Sequence, residues 1–339
     1  MHDTMTHLKS RCIRLALPVM ALVAVALVGG AAQADSIPQG TLLQFTTNVG
    51  TFQVDMFDQV ADNTVANFLQ YVNSGAYANT LVHRTQKLST QGIGIVQGGG
   101  YTDGGNTFNH ITTNAPINLQ YKLDNSIGTI AMARTPNVNS ATSEWFINTS
   151  DNTTTLGAGN GGGYAVFGQV MAGGMTTVNN IVGLPQQTVN GFPNVPLRNW
   201  TSGTVTSANY VFTNNISVVK THAAFQNPNT PNDVNNDGTT SAADLAQIVN
   251  QLLHGNGPHA ATTFFGTKYE YVDVNGDGLV SALDAAKVVN FLIKNPPAAQ
   301  SSLMAAPMTA QAPEPSSLAL AALSALSLTA YVVRRRSKR

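Results

Sequence analysis

The chain predicts a mainly β domain of the barrel or sandwich kind, followed by a small all-α module. Three observations carry that prediction. Over about 140 residues after Gly75, short strand-like runs alternate with Gly, Asn and Thr turns, with one further helical stretch near 175–182. From Asn227 the character changes, and two Asp/Asn/Gly-rich segments, 40 residues apart, each run into a helical pattern. A length of 339 residues allows about two domains.

The elements follow in order. Thr41–Thr46 and Gly50–Phe57 read as strands joined by a tight turn at Asn48-Val49-Gly50. In the second, Phe52, Val54 and Met56 share one face, and Thr51, Gln53 and Asp55 the other. A helix follows, with Asp62 or Asn63 as its expected cap. Val65, Phe68, Leu69 and Val72 repeat at i, i+3, i+4, i+7, and Gly75 is the stop. Pro228-Asn229-Thr230-Pro231 reads as a linker, and the Ala/Ser/Gln/Pro-rich stretch after Pro296 as another.

Charge and cysteine narrow the function classes. Lys+Arg and Asp+Glu are 17 each, a net charge of zero, which argues against nucleic acid as a partner. The balance is uneven: basic residues cluster at both ends, so 35–333 carries nine basic and sixteen acidic residues. The only cysteine, Cys12, precedes an expected cleavage point after Ala34, so the mature chain would lack thiol chemistry.

Both ends read as targeting segments. Met1–Arg14 is basic, Leu15–Gly29 is apolar, and Ala32-Gln33-Ala34 is a small-x-small cleavage site, the order of an export leader. Ser316–Val333 is an apolar run of barely spanning length, followed at once by Arg334-Arg335-Arg336. With Pro313-Glu314-Pro315 before it, the end resembles a PEP-CTERM sorting signal. That resemblance implies delivery to the envelope, a membrane helix and processing by an exosortase-type peptidase. An uncleaved anchor at either end is the plainer alternative.

The repeated segments are Asp233–Asp244 and Asp273–Asp284. Oxygen-bearing side chains fall at loop positions 1, 3, 5, 9 and 12, with Gly238 or Gly278 at position 6. Calcium takes six to eight hard oxygens, and a sharply turned loop with oxygens on alternate residues wraps them round one ion. Helices are expected over Ala243–Leu253 and Ala285–Ile293. Aspartate rather than glutamate at position 12 resembles a type I dockerin domain over about 232–295. The resemblance implies two Ca²⁺ ions. Their ligands would be Asp233, Asn235, Asp237, Thr239, Ser241 and Asp244, then Asp273, Asn275, Asp277, Leu279, Ser281 and Asp284, with Thr239 and Leu279 acting through their carbonyls. It also implies a cohesin-type partner. The apolar pairs Ala242-Ala243 and Ala282-Leu283 leave open a calcium-stabilised spacer or intramolecular clip instead.

In the first domain, Gly157-x-Gly159-x-x-Gly162 runs into a strand-like segment rather than a helix and reads as a loop. The informative blocks are Asn67–Tyr77, His83-Arg84, Gln97–Gly100, Gly128–Arg134, Ser140–Ser143, Phe146-Ile147-Asn148 and Gly163–Gly168. Their content and order resemble the cyclophilins, close to the periplasmic bacterial type, over about 40–220. The resemblance implies an eight-stranded antiparallel barrel capped by two helices, and a peptidyl-prolyl cis/trans isomerase that needs no cofactor. Arg84 would be the catalytic arginine, held by Gln97. Ile95, Phe146 and Leu156 would line the proline slot, Met132 would support it, Ala133 would bind substrate backbone, and Tyr164 stands where the family has His or Tyr.

Several positions depart from the family pattern. About five residues are inserted between Arg84 and Gln97, Gly94 replaces a pocket phenylalanine, Thr155 replaces a rim aromatic, and Glu144 replaces a glutamine. Glu144 is expected to pair with Arg84 and hold it from substrate. The expected organisation is leader 1–34, isomerase domain 35–222, linker 223–231, dockerin 232–295, linker 296–312 and sorting signal 313–339. The expected function is an exported isomerase for proline-containing polypeptides in the cell envelope or at the cell surface. The alternative is a weakly active or inactive proline-peptide-binding module displayed through the dockerin. Calcium is expected to govern only the second domain.

Overall fold

The computed structural model describes residues 37–262 and 266–296, so the segments expected to be an export leader and a sorting signal, with its apolar run, lie outside the described residues. Among the described residues no helix is long and apolar enough to cross a membrane.

The barrel strands are β1 (Gln39–Thr47), β2 (Thr51–Met56), β3 (Thr80–Gln86), β4 (Ile95–Asp103), β5 (Phe108–His110), β6 (Thr129–Met132), β7 (Trp145–Asn148), β8 (Val166–Val170) and β11 (Phe212–Ala223). They pair in the order β3-β11-β1-β2-β8-β6-β7-β4-β5, and a further β3–β4 pairing closes eight of them into a ring. The predicted eight-stranded antiparallel barrel is therefore present, with β5 as an outer addition to β4. A hairpin of β9 (Gln186–Val189) and β10 (Phe192–Pro196) lies outside the ring. The first hairpin pairs Thr41 with Met56 and Phe45 with Phe52, as the alternation in β2 requires.

Two helices close the barrel core: α1 (Asp62–Asn73) and α3 (Met175–Gly183). Val65, Phe68, Tyr71 and Val72 of α1 and Val178 and Ile181 of α3 join one cluster with Phe45, Val54, Ile130, Trp145 and Phe167. Between them α2 (Leu88–Gln91) is one turn inside the insertion after Arg84. The expected cap of α1 is corrected: Ala61 stands at the N-cap and no side chain there bonds the helix. Gln120 does so from a distance, its Oε1 accepting from Thr64 N at 2.9 Å while its amide donates to Asp62 at 2.7 Å. The predicted stop holds, with Gly75 at φ 71.

The C-terminal module consists of α4 (Ala242–His254), α5 (Ala282–Lys294) and a short ladder of β12 (His259–Ala260) with β13 (Leu279–Val280). Both helices begin earlier than their apolar periodicity suggested. Ser241 and Asp244 form a capping box, and so do Ser281 and Asp284. Positions 9 and 12 of each Asp-to-Asp loop thus also start the helices.

The linker assigned to 223–231 is not a linker. Ala224, Phe225 and Asn227 are fully or almost fully buried. Tyr269 stacks on Phe57 at 3.9 Å and on Phe225 at 4.9 Å. Its hydroxyl accepts from Phe225 N at 3.1 Å. Tyr271 is buried with Leu42 and Met171. A composition rich in Pro and Asn reads as a spacer, but here those residues form turns: Asn227 Oδ1 accepts from the backbone N–H of Asn229 and Thr230. The described chain from Pro38 onward is one compact unit, in which barrel and helical module share a continuous apolar cluster.

Candidate active site

Strand register assembles the site. Arg84 on β3 lies opposite Gln97 on β4, Gln97 opposite Phe146 on β7, and Phe146 opposite Ala131 on β6. Successive side chains alternate between barrel interior and exterior. Ile95, Ala131, Phe146 and Val166 therefore join one exterior cluster with Leu156, while Val96, Ile130, Trp145 and Ile147 fill the interior. Ala133 and Tyr164 pack against that exterior cluster. Tyr164 meets Phe146 edge-on at 5.5 Å.

Met132, expected to support the proline slot, faces the barrel interior. It is buried in the interior cluster, on the opposite side of the strand from Ala131. Strand alternation puts its neighbours Ala131 and Ala133 on the slot side, and Ala131 was not foreseen there.

A polar chain borders the apolar patch. Arg84 Nη1 donates to Gln97 Oε1 at 3.2 Å, and Gln97 Nε2 donates to Glu144 Oε2 at 2.8 Å. The same Glu144 oxygen lies 3.2 Å from His83 Nε2, and Oε1 lies 3.8 Å from His110 Nε2. Glu144 thus pairs with the two histidines and acts on Arg84 through Gln97, correcting the expected direct ion pair. An acceptor-only carboxylate turns the Gln97 amide so that its carbonyl faces the guanidinium. Burial pushes the Arg84 pKa down, and the nearby Glu144 carboxylate partly offsets this. Arginine stays charged under such shifts.

The glycine run makes room for this arrangement. At Gly99, φ is +80 and a Cβ would come within 2.9 Å of the Ser143 carbonyl, and at Gly100 a Cβ would sit 2.6 Å from Glu144 Cγ. Gly94 is similarly confined: a Cβ there would meet Ser150 Oγ at 2.7 Å, so the phenylalanine usual in the family has no room.

Two supporting groups were missed by sequence reasoning. Arg134 lies 4.4 Å over the Tyr164 ring and donates to the Gly161 and Gly163 carbonyls, tying the glycine loop to that ring. Asn152 grips both backbone groups of Gly94 and also Asn148. It thereby fixes the turn that carries Leu156, whose N–H donates to the Asn152 carbonyl. Arg134 stands inside a quoted motif, so its charge beside the glycine loop was the available signal.

Burial raises the Glu144 pKa, but His83, Gln97 and His110 outweigh it and hold the carboxyl below its ordinary value of 4.5. The ionised form therefore contributes stability above that value, and the contribution is lost as pH falls through the lower folded value. Thermal midpoints of wild type and Glu144→Gln should differ above pH 4.5 and converge only once the pH has fallen through the lower folded value. Because Arg84 is not itself paired to Glu144, kcat/KM of this variant should change by less than about threefold. A large rise in kcat/KM would restore the direct restraint, and parallel pH curves would deny the carboxylate its stabilising part.

In the two Asp-to-Asp loops, Asp233, Asp244, Asp273 and Asp284 are buried, and among the described residues no cationic side chain pairs with them. Burial, with Asp284 and Asp277 close by, pushes Asp273 up to about 6. Gly238 and Gly278 adopt φ 92 and 83, the turn that position 6 requires. Among the described residues no ready cluster of three acidic, His or Cys side chains stands as a metal site. Coordination would therefore draw on Asn, Ser and main-chain oxygens as well. Hard oxygen donors around buried, unneutralised carboxylates fit a calcium ion.

Comparison with known proteins bears on both regions. A family model described as cyclophilin type peptidyl-prolyl cis-trans isomerase/CLD matches residues 42–202, and one described as dockerin type I domain matches 231–293. A peptidyl-prolyl cis-trans isomerase of Acinetobacter baylyi is 35% identical over 158 residues, covering 46% of this chain and 79% of the relative. Peptidyl-prolyl cis-trans isomerase A of Dickeya dadantii is 38% identical over 158 residues, covering 46% and 78%. Among solved structures, a cyclophilin type isomerase of Cryptosporidium parvum aligns with 53% of this chain and 98% of its own, at 21% identity and a TM-score of 0.39.

Proposed function

Since the chain belongs to the cyclophilin-type peptidyl-prolyl cis-trans isomerases, we propose that it is an exported member that works on proline-containing segments of envelope or secreted proteins, with Arg84 as its catalytic group. The observation that carries this reading is the Arg84–Gln97–Glu144 chain beside the apolar patch of Ile95, Phe146 and Leu156.

The chemistry follows from the amide. Rotation about an X–Pro bond meets a barrier of ~18–20 kcal/mol because nitrogen shares its lone pair with the carbonyl. In the twisted state that pair returns to nitrogen and can accept a hydrogen bond. A guanidinium fixed beside the prolyl nitrogen bonds the twisted state better than the planar one, which is differential stabilisation of the transition state. The pyrrolidine ring would sit on Phe146, Leu156 and Ile95, with Tyr164 at the edge. Ala133 would bond substrate backbone, and Gln97 would hold Arg84 in place. No covalent step is required.

Export is supported by the basic, apolar and small-x-small order of residues 1–34, and envelope sorting by the Pro313-Glu314-Pro315 tail. The dockerin module, with calcium held by the two Asp-to-Asp loops, would place the enzyme outside the cytoplasm and could engage a cohesin-type partner. Ala242, Ala243 and Leu283 remain exposed on its helices. In a protease-coupled assay on an Ala-Pro peptide, the wild-type protein is expected to exceed the uncatalysed rate. A rate at background would leave the proline-binding module as the function.

A further inference from the structure

Position 4 of the first metal loop is not a spare residue. Asn236 lies between the expected ligands Asn235 and Asp237 at φ 56, a conformation asparagine tolerates. Its side chain reaches out of the loop to the barrel. Nδ2 donates to the Val170 carbonyl and Oδ1 accepts from Ala172 N, both at 2.9 Å. The amide thus continues the backbone pairing of β8 where that strand ends. Around it, Tyr271 N donates to the Val234 carbonyl and Asp273 N to the Phe225 carbonyl, so both loops are bonded into the junction. The second loop has Gly276 at the equivalent position, with φ 73. The loop architecture therefore accepts glycine there, and the asparagine side chain serves the barrel contact.

We propose that the first calcium loop is a clamp on the isomerase barrel, with Asn236 joining calcium binding to barrel stability. The inference rests on the calcium reading of the loops and is separate from the assignment of Arg84. An ion that fixes Asp233, Asn235 and Asp237 also fixes the residue between them, and with it the end of β8. A ligand that binds only the folded state stabilises everything that unfolds with its site. The barrel is then not indifferent to calcium, contrary to the expectation of two independent domains.

The two tryptophans, Trp145 and Trp200, both belong to the barrel part of the chain, and none lies beyond it. Tryptophan fluorescence therefore follows the barrel, while ellipticity at 222 nm also follows α4 and α5. Calorimetric titration of the metal-stripped full chain with Ca²⁺ should show two sites. Saturating Ca²⁺ should raise the fluorescence-detected melting midpoint by about 5–15 °C over the EDTA-treated protein. In Asn236→Gly, which keeps every expected ligand, the fluorescence shift should fall by half or more while calcium still binds. Two sites by calorimetry with an unmoved wild-type fluorescence midpoint would overturn the clamp. Absence of calcium binding would overturn the loop reading beneath it.

Discussion

Arg84→Ala is expected to lower kcat/KM on a proline peptide by about 10²–10³, the usual loss when one fixed transition-state donor is removed. The loss should fall on kcat rather than KM, because the donor matters most in the twisted state, while the apolar patch that holds the ring remains. Arg84 is only partly buried and bonds Gln97 at the rim, so the melting midpoint should move little. Wild type and variant compared in one assay, with the midpoints of both, provide the test. Equal rates above background would remove Arg84 from the mechanism. A collapse in stability with unchanged kcat would make it a structural residue.

Phe225→Ala is expected to cost about 3–5 kcal/mol of unfolding free energy for the whole described body. Phe225 is fully buried, stacked on Tyr269, and held at φ 61, a left-handed conformation that costs of order 1 kcal/mol for such a residue. Its ring sits where barrel and helical module meet. Truncation should therefore lower the denaturation midpoint seen by tryptophan fluorescence as well as that seen at 222 nm. A change under about 0.5 kcal/mol, the usual value for exposed positions, would return 223–231 to the status of a linker.

What could be read from the sequence follows the range of the contacts. The first hairpin, the apolar face of α1 and the two capped loops depend on residues within about fifteen positions, and the pattern carries them. The Arg84–Gln97 bond, 13 residues apart, was reached through the family resemblance rather than through periodicity. The partners of Glu144 were missed, because strand pairing brings Gln97 to it across 47 residues and no local signal reports that. The junction failed for the same reason: Phe225 and Tyr269 are 44 residues apart, and Asn236 and Val170 are 66 apart. Pro-Asn composition signals turns, and whether turns pack or dangle is decided by what arrives from elsewhere. Met132 is a smaller case of the same limit. The motif identified the segment, but only the barrel pleat settles which alternate residue faces the slot.

Whether this chain speeds rotation about an X–Pro bond is measured, without a coupling protease, by magnetisation-exchange NMR on an Ala-Pro peptide. With a catalytic amount of the full chain, cis and trans signals should exchange far faster than the tens to hundreds of seconds of the free peptide, and with Arg84→Ala they should return toward the uncatalysed rate. Peptide resonances that shift on binding while exchange stays at the uncatalysed rate would contradict the account.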